Sequence, residues 1–283
     1  MSKNTINYNS QLLAEWPPEL LSVQRGLYYG DALFESIRVL GGRIPLLAAH
    51  WERLFGGLKA WGYAVPAHWS AEFFKKEILR TTSGDARVRL TVWRSPGGLF
   101  LPENDTPQFL IAATELSSSM FDGYSKGLSI GLCRGVRLSV DSLSGWKTPN
   151  GARYVAAAKE AYASGWDDAI ILNSREQVCE ATSSNVFWIA DHQVYTVPLS
   201  DGPVTGILRN LLLHLLPREG YTVVEKSTSF EELLQADEVF LTNAVRGIRW
   251  VACCEKKVFK QNHSEHFNYL LAAHIEGILK GTD

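Results

Sequence analysis

Lys147 lies in the segment "GWKTPN", residues 145–150, with apolar Trp146 and Pro149 close by. In water a lysine is an ammonium ion and a poor nucleophile. Partial desolvation lowers its pKa and frees the neutral amine to form a Schiff base. The other reading is a solvated loop lysine, the usual fate of this residue type. Glu180 stands in "QVCEATSSNVFW", which reads as a strand, so Cys179 and Glu180 point to opposite faces. If Cys179 faces a core, Glu180 lines the other side, where it either meets solvent or holds a cation. The segment "VTGILRN", residues 204–210, opens a helical run. Thr205 is its expected N-cap, and Gly206 lets a ligand approach the free first-turn amides. That arrangement suits phosphate but also serves plain capping. In "HWERL", residues 50–54, His50 and Leu54 share a helical face with Arg53 beside them, and "EVFLTNAVRG" adds the hydroxyl of Thr242. Arg53 is either an exposed helix cation or an anion's partner, and Thr242 alone is as ambiguous.

The elements that must position these groups follow from periodicity and turn residues. "ALFESIRVL" reads as a strand ended by a Gly41-Gly42 hairpin turn. Leu47, Trp51, Leu54, Leu58 and Trp61 recur at helical steps through "LLAAHWERLFGGLKAWG". A second helix is expected from Ser70, its N-cap, to Thr81, with Glu72 in the first turn. Two strands, "ARVRLTVWR" and "PQFLIAATEL", flank the loop "SPGGLFLPENDT". Further on, "LSIGLCRGVRLS" reads as a strand and "ARYVAAAKEAYASG" as a helix stopped at Gly165. "DDAIILN", "QVCEATSSNVFWIA" and "QVYTVP" then read as three strands. "TGILRNLLLHLLPREG" is a helix, "YTVVEKST" a strand and "FEELLQA" a short helix. "DEVFLTNAVRGIRWVA" is a strand with a loop, and "SEHFNYLLAAHIEGILKG" a closing helix. Two blocks of mixed elements predict an α+β fold. Residues 1–117 form a smaller N-terminal domain, polar glycine-bearing residues 118–127 a linker, and residues 128–283 a larger C-terminal domain, with a cleft between the two.

Composition narrows the classes. Of 283 residues 46% are hydrophobic, enough for one large core or two moderate ones. Lys and Arg number 28 against 30 Asp and Glu, for a formal charge of −2 without any basic block, so nucleic acid is not an expected partner. The opening "MSKNTINYNSQLLAEW" lacks a signal-peptide core and no apolar run approaches a membrane span, so no membrane partner and a cytoplasmic location are expected. Cys133, Cys179, Cys253 and Cys254 form no C-x-x-C pair. Reduced, mostly buried thiols and no metal site are expected.

In their order along the chain, "RGLYYGDALFESIRV", "HWERL", "GWKTPN", "CEATSSNVFW", "TGILR" and "EVFLTNAVRGI" closely resemble the fold-type IV pyridoxal-phosphate enzymes, the class IV aminotransferase family. The resemblance runs from about Arg25 to about Val251. It implies a D-amino-acid-aminotransferase-like fold: a smaller N-terminal α/β domain, a larger C-terminal cofactor-binding domain with a barrel-like sheet, and pyridoxal 5'-phosphate in the cleft. It also implies a homodimer acting on a small amino substrate. By the same resemblance Lys147 carries the cofactor covalently and then shuttles protons, and Glu180 pairs with the pyridine nitrogen. Arg53, the amides of Gly206, Ile207 and Leu208, and the hydroxyl of Thr242 hold the phosphate.

Within the family, branched-chain aminotransferases tend to place a tyrosine about five residues after the lysine. Here that position is Ala152, and the nearest tyrosine is Tyr154. "RVRLTVWRSPGGLFLP" replaces their tyrosine-x-arginine signature and, with "LTNAVRGI", looks more like aminodeoxychorismate lyases, although Ser95-Pro96 stands where the lyase loop usually has a glycine after its arginine. The activity so implied converts 4-amino-4-deoxychorismate to 4-aminobenzoate and pyruvate, a step toward folate. Arg94 and Arg246 are candidates for the two substrate carboxylates, with an exposed or structural role as the alternative. The other functional readings are an aminotransferase for branched-chain or D-amino acids, and a non-catalytic paralogue.

Overall fold

Alternating apolar residues and glycine turns build the first sheet. The computed structural model describes residues 6–14, 24–82, 84–117 and 126–281. In chain order the first part carries β1 (Ile6–Tyr8), β2 (Gln11–Leu13), the short α1 (Arg25–Tyr28), β3 (Ala32–Val39), α2 (Leu47–Ala60), α3 (Ala71–Leu79), β4 (Ala86–Arg94) and β5 (Pro107–Glu115). The antiparallel order is β2-β1-β5-β4-β3, which leaves β3 at an edge. Gly41 and Gly42, at φ of 52° and 74°, turn the chain after β3 as expected, since both positions need a left-handed backbone. Leu33, Ile37 and Val39 of β3, with Val88, Leu90 and Val92 of β4, make one buried face with Leu54 and Leu58 of α2 and Phe74 and Ile78 of α3. Ser70 caps α3 as predicted, its hydroxyl accepting from the Phe73 amide at 3.1 Å. The β1–β2 hairpin has no counterpart in the sequence reading, because three-residue strands are too short to show a period.

The chain divides into two units: Met1–Ser118 with Trp146–Asn150, and Ser119–Gly145 with Gly151–Asp283. The segment around Lys147 therefore belongs to the first unit, whereas the sequence division assigned it to the second. The cause is local. Trp146 packs on the β3–α2 core, and the Phe34 amide donates to the Lys147 carbonyl at 2.9 Å. Of the expected linker 118–127, residues 118–125 lie outside the described residues.

The second unit contains β6 (Leu128–Leu132), α4 (Ala152–Ala163), β7 (Asp168–Leu172), β8 (Val178–Ala181), β9 (Asn185–Ala190), β10 (Gln193–Thr196), α5 (Ile207–Arg218), β11 (Val223–Glu225), α6 (Phe230–Leu233), β12 (Glu238–Asn243), β13 (Gly247–Cys254), β14 (Lys257–Val258) and α7 (Ser264–Lys280). Its nine strands follow the order β11-β10-β9-β12-β13-β6-β7-β8, with β14 paired to β13. The run "QVCEATSSNVFWIA", expected as one strand, is two. A turn at Thr182–Ser184, closed by the Ala181 amide on the Ser184 carbonyl, separates β8 from β9. "DEVFLTNAVRGIRWVA" likewise folds as the β12–β13 hairpin.

Those three turn residues shape the sheet. β8 and β9 are consecutive in the chain but five steps apart in the sheet order. In a flat sheet that separation is roughly 24 Å at ~4.8 Å per strand, and four Cα steps reach at most ~14 Å. The sheet must curl until its β8 edge returns toward β9, which makes it barrel-like. Val239, Leu241, Val186 and Trp188 pack into one core. Phe240 stacks on Phe187 with ring centroids 5.0 Å apart and meets Phe267 of α7 edge-on at 5.7 Å.

Among the described residues no helix is long and apolar enough to cross a membrane, and no group of three His, Cys, Asp or Glu could hold a metal. All four cysteines are free thiols. Phe240 is fully buried, so Phe240→Ala is expected to cost about 3–5 kcal/mol, read as a lower urea midpoint at unchanged m value.

Candidate active-site residues

In the first unit two consecutive residues of β3 organise the cationic candidates. Glu35 is buried and points to the α2 face. It accepts from Arg53 Nε at 2.8 Å, from a second Arg53 nitrogen at 2.5 Å, and meets His50 Nδ1 at 2.7 Å. His50 and Arg53 reach it together because they sit three residues apart on α2. Burial alone would raise the Glu35 carboxyl, but Arg53 and then His50 outweigh it and hold its pKa at about 2. Arg53 is thus a nearly buried cation in a fixed orientation rather than an exposed helix arginine.

Phe34 points to the opposite face of the strand. The Lys147 ammonium lies 4.6 Å from the centroid of its ring, and Lys147 is half-buried, so the amine is not a freely solvated loop lysine. The guanidinium of Arg89 lies 3.7 Å from the same centroid. Burial, then neighbouring Arg87, lowers the Arg89 pKa. Sequence reasoning missed Arg89. The signal was available in "ARVRLTVWR", where Val88, Leu90 and Val92 take the core face and leave Arg87 and Arg89 on the other.

Arg94 is committed elsewhere. Its Nε donates to Asp105 at 2.8 Å, its other two nitrogens bond Asp31 and the Trp61 carbonyl, and its guanidinium lies 4.1 Å from the Tyr63 ring. With all three nitrogens engaged it ties β4 to the loops around it, the structural alternative to a substrate role. Arg246 is exposed in the β12–β13 turn, where its backbone amide bonds Asn243 Oδ1 at 2.8 Å.

In the second unit Glu180 is 3% exposed, on β8. Cys179 turns into a separate core cluster with Ala157 and Ala161 of α4, and Glu180 accepts from Tyr154 Oη at 2.6 Å and from the Val204 amide at 3.0 Å. The solvent-facing reading of this carboxylate is excluded. Burial, then the Glu180 charge, pushes the Tyr154 phenol well above the usual tyrosine range, so it stays a donor.

The helix start lies along the same stretch of chain. Thr205 is not the N-cap: α5 begins at Ile207 behind Gly206, without a side-chain cap, and the Thr205 amide is spent on the Gly145 carbonyl at 3.0 Å. Gly206, Ile207 and Leu208 therefore carry the amides that the helix itself does not satisfy. A Cβ at Gly206 would stand 1.8 Å from Asn185 Oδ1, so only glycine fits there. Asn185 Nδ2 donates to the Val204 carbonyl at 2.8 Å, and Asn185 pairs across β9 and β12 with Thr242. Cross-strand partners share a face, which puts Thr242 on the side of the α5 start. Its Oγ1 is buried without a hydrogen-bond partner among the described residues. An orphan buried hydroxyl beside uncapped helix amides fits an anionic group such as a phosphate.

The profile of the family Amino-transferase class IV matches residues 32–254. This chain belongs to that family. It is similar to an aminodeoxychorismate lyase from Vibrio harveyi, 28% identical over 227 residues that cover 79% of this chain and 83% of that protein. It is also similar to a probable branched-chain-amino-acid aminotransferase from Aquifex aeolicus, 31% identical over 235 residues, covering 76% and 73%. The crystal structure of 4-amino-4-deoxychorismate lyase from Pseudomonas aeruginosa superposes with a TM-score of 0.84 at 26% identity, covering 95% of this chain and 98% of that one.

The Glu35 cluster sets a pH dependence. A carboxyl held at about 2 against an ordinary 4.5 contributes stability that is complete above 4.5 and is lost as pH falls toward 2. The stability gap between wild type and Glu35→Gln, on the order of 3 kcal/mol for this group by linkage, should be full at pH 6 and narrow below pH 4.5 in urea melts.

Proposed function

We propose that this class IV enzyme is a pyridoxal-phosphate-dependent lyase that converts 4-amino-4-deoxychorismate to 4-aminobenzoate and pyruvate. Lys147 is the covalent anchor of the cofactor. Glu180 is the carboxylate for its ring nitrogen, and Arg53, Thr242 and the amides of Gly206, Ile207 and Leu208 are the phosphate ligands. When bound, the cofactor accepts the electron pair left by a bond broken at the substrate's amine-bearing carbon. Lys147, half-buried beside the Phe34 ring, would take the proton from that carbon as general base. Glu180, buried and held by two donors, stays in place to keep the ring nitrogen protonated. Arg89 is the candidate for a substrate carboxylate, since it shares the Phe34 ring with Lys147. Arg246 remains a second candidate, whereas the bonds of Arg94 leave it a structural part.

The observation that carries the choice of lyase is Tyr154. Its hydroxyl is committed to Glu180, and position 152, where the resembling aminotransferases place a tyrosine, is alanine. The second reading, a branched-chain or D-amino-acid aminotransferase, is supported by the Aquifex aeolicus relative. A homodimer and a cytoplasmic place in folate synthesis belong to the same proposal. Support for association comes from the exposed tip Leu99, Phe100 and Leu101, which Arg25 braces through the Gly97, Leu99 and Phe100 carbonyls.

Incubated with 4-amino-4-deoxychorismate, the purified protein should release pyruvate and 4-aminobenzoate. Glutamate formed from leucine and 2-oxoglutarate, or turnover of a D-amino acid, without lyase products would give the aminotransferase reading instead. A visible absorbance band that vanishes in Lys147→Ala separates an enzyme from a non-catalytic paralogue. Thr242→Val should stabilise the cofactor-free protein by up to about 1 kcal/mol, because it removes an unsatisfied hydroxyl. The same substitution should weaken pyridoxal phosphate binding by about tenfold, read by tryptophan fluorescence.

A further inference from the structure

α4 starts behind Gly151 and carries Tyr154 in its first turn. The helix packs through small residues on β7, the neighbour of β8 in the sheet. Ala157 and Ala161 pack with Cys179, the neighbour of Glu180, and Tyr154 packs against the same cluster. This approach brings the Tyr154 hydroxyl to 2.6 Å from Glu180 Oε1. The Val204 amide, fixed in the backbone before α5, lies 3.0 Å from Oε2. Each oxygen of the carboxylate thus has its own donor, one from a side chain and one from the main chain. Every carboxylate oxygen has about two acceptor directions. With a donor on each oxygen, the group cannot rotate without breaking a charge-assisted hydrogen bond, and its heading is fixed.

We propose that Tyr154 is a positioning residue for the cofactor's ring nitrogen, acting through Glu180. Without the phenol, Oε1 loses the Tyr154 bond that holds its direction, and the carboxylate can turn away from the bond it would make to the ring N–H. The side chain of Tyr154 itself transfers no proton. This inference rests on the pyridoxal-phosphate reading above.

The test compares binding of pyridoxal phosphate and of its 1-deaza analogue, in which a C–H replaces the ring nitrogen, to full-length cofactor-free protein. Binding is followed by tryptophan fluorescence. Tyr154→Phe should weaken pyridoxal phosphate about tenfold, the usual effect of one hydrogen bond to a charged group, and leave the deaza analogue within about twofold. In a Glu180→Gln background the same substitution should change pyridoxal phosphate affinity by less than about twofold, since the group it acts through is already altered. Equal weakening of both compounds, loss of the fold, or no weakening of either makes the phenol a packing residue and overturns the assignment. A wild-type protein that binds neither compound overturns the pyridoxal-phosphate reading itself, and this inference with it.

Discussion

Three residues between β8 and β9 constrain the larger unit more than any single contact does. Thr182–Ser184 must connect strands five steps apart in the sheet, which only a curled sheet allows. Asp168, at the start of β7, secures the turn by accepting from the Thr182 amide and hydroxyl. The short segment Val204–Gly206 then joins the two strands that the curl has brought together. The Val204 amide reaches Glu180 on β8, the Val204 carbonyl accepts from Asn185 on β9, and Gly206 lies against that same asparagine. A buried carboxylate and an uncapped helix start are thereby fixed to one another through three consecutive residues.

The first unit solves a different problem, that of holding cations out of water without neutralising them. A buried charge is tolerated where it is paired and hydrogen-bonded, and is costly otherwise. Glu35 meets that condition for Arg53 and His50, while on the other face of β3 the Phe34 ring lies against both Lys147 and Arg89. Arg53 is locked as a permanent cation, while Lys147 and Arg89 share one aromatic surface. Arg94 shows the fully structural end of the range, with two carboxylates, a carbonyl and an aromatic ring taking up its guanidinium.

Much of this was legible in local pattern. The helices over α2 and α3, the Ser70 cap and the Gly41-Gly42 turn depend on spacing and backbone preference, which the sequence states directly. The errors share one cause, that partners distant in sequence decide the outcome. "QVCEATSSNVFWIA" reads as a single strand until β8 pairs with β7 and β9 with β12. Thr205 looks like a cap until Gly145 takes its amide. Alternation puts Arg89 and Arg94 on opposite faces of "ARVRLTVWR", but only the register of β4 against β3 sets Arg89 beside Phe34, and only the loops around Asp31 and Asp105 engage Arg94.

Side-chain types and their order along the chain determined by themselves which groups could do chemistry here: an amine, a carboxylate, an arginine and a glycine-led helix start, in an order that resembles one family of enzymes. Tertiary structure alone decided their state. It made Glu180 a buried carboxylate with a phenol on one oxygen and an amide on the other, gave Arg53 its permanent counter-ion, and left the Thr242 hydroxyl without a partner among the described residues. The physical reason is that burial and hydrogen bonding set the charge and direction of a polar group. Both depend on neighbours that folding brings from far along the chain.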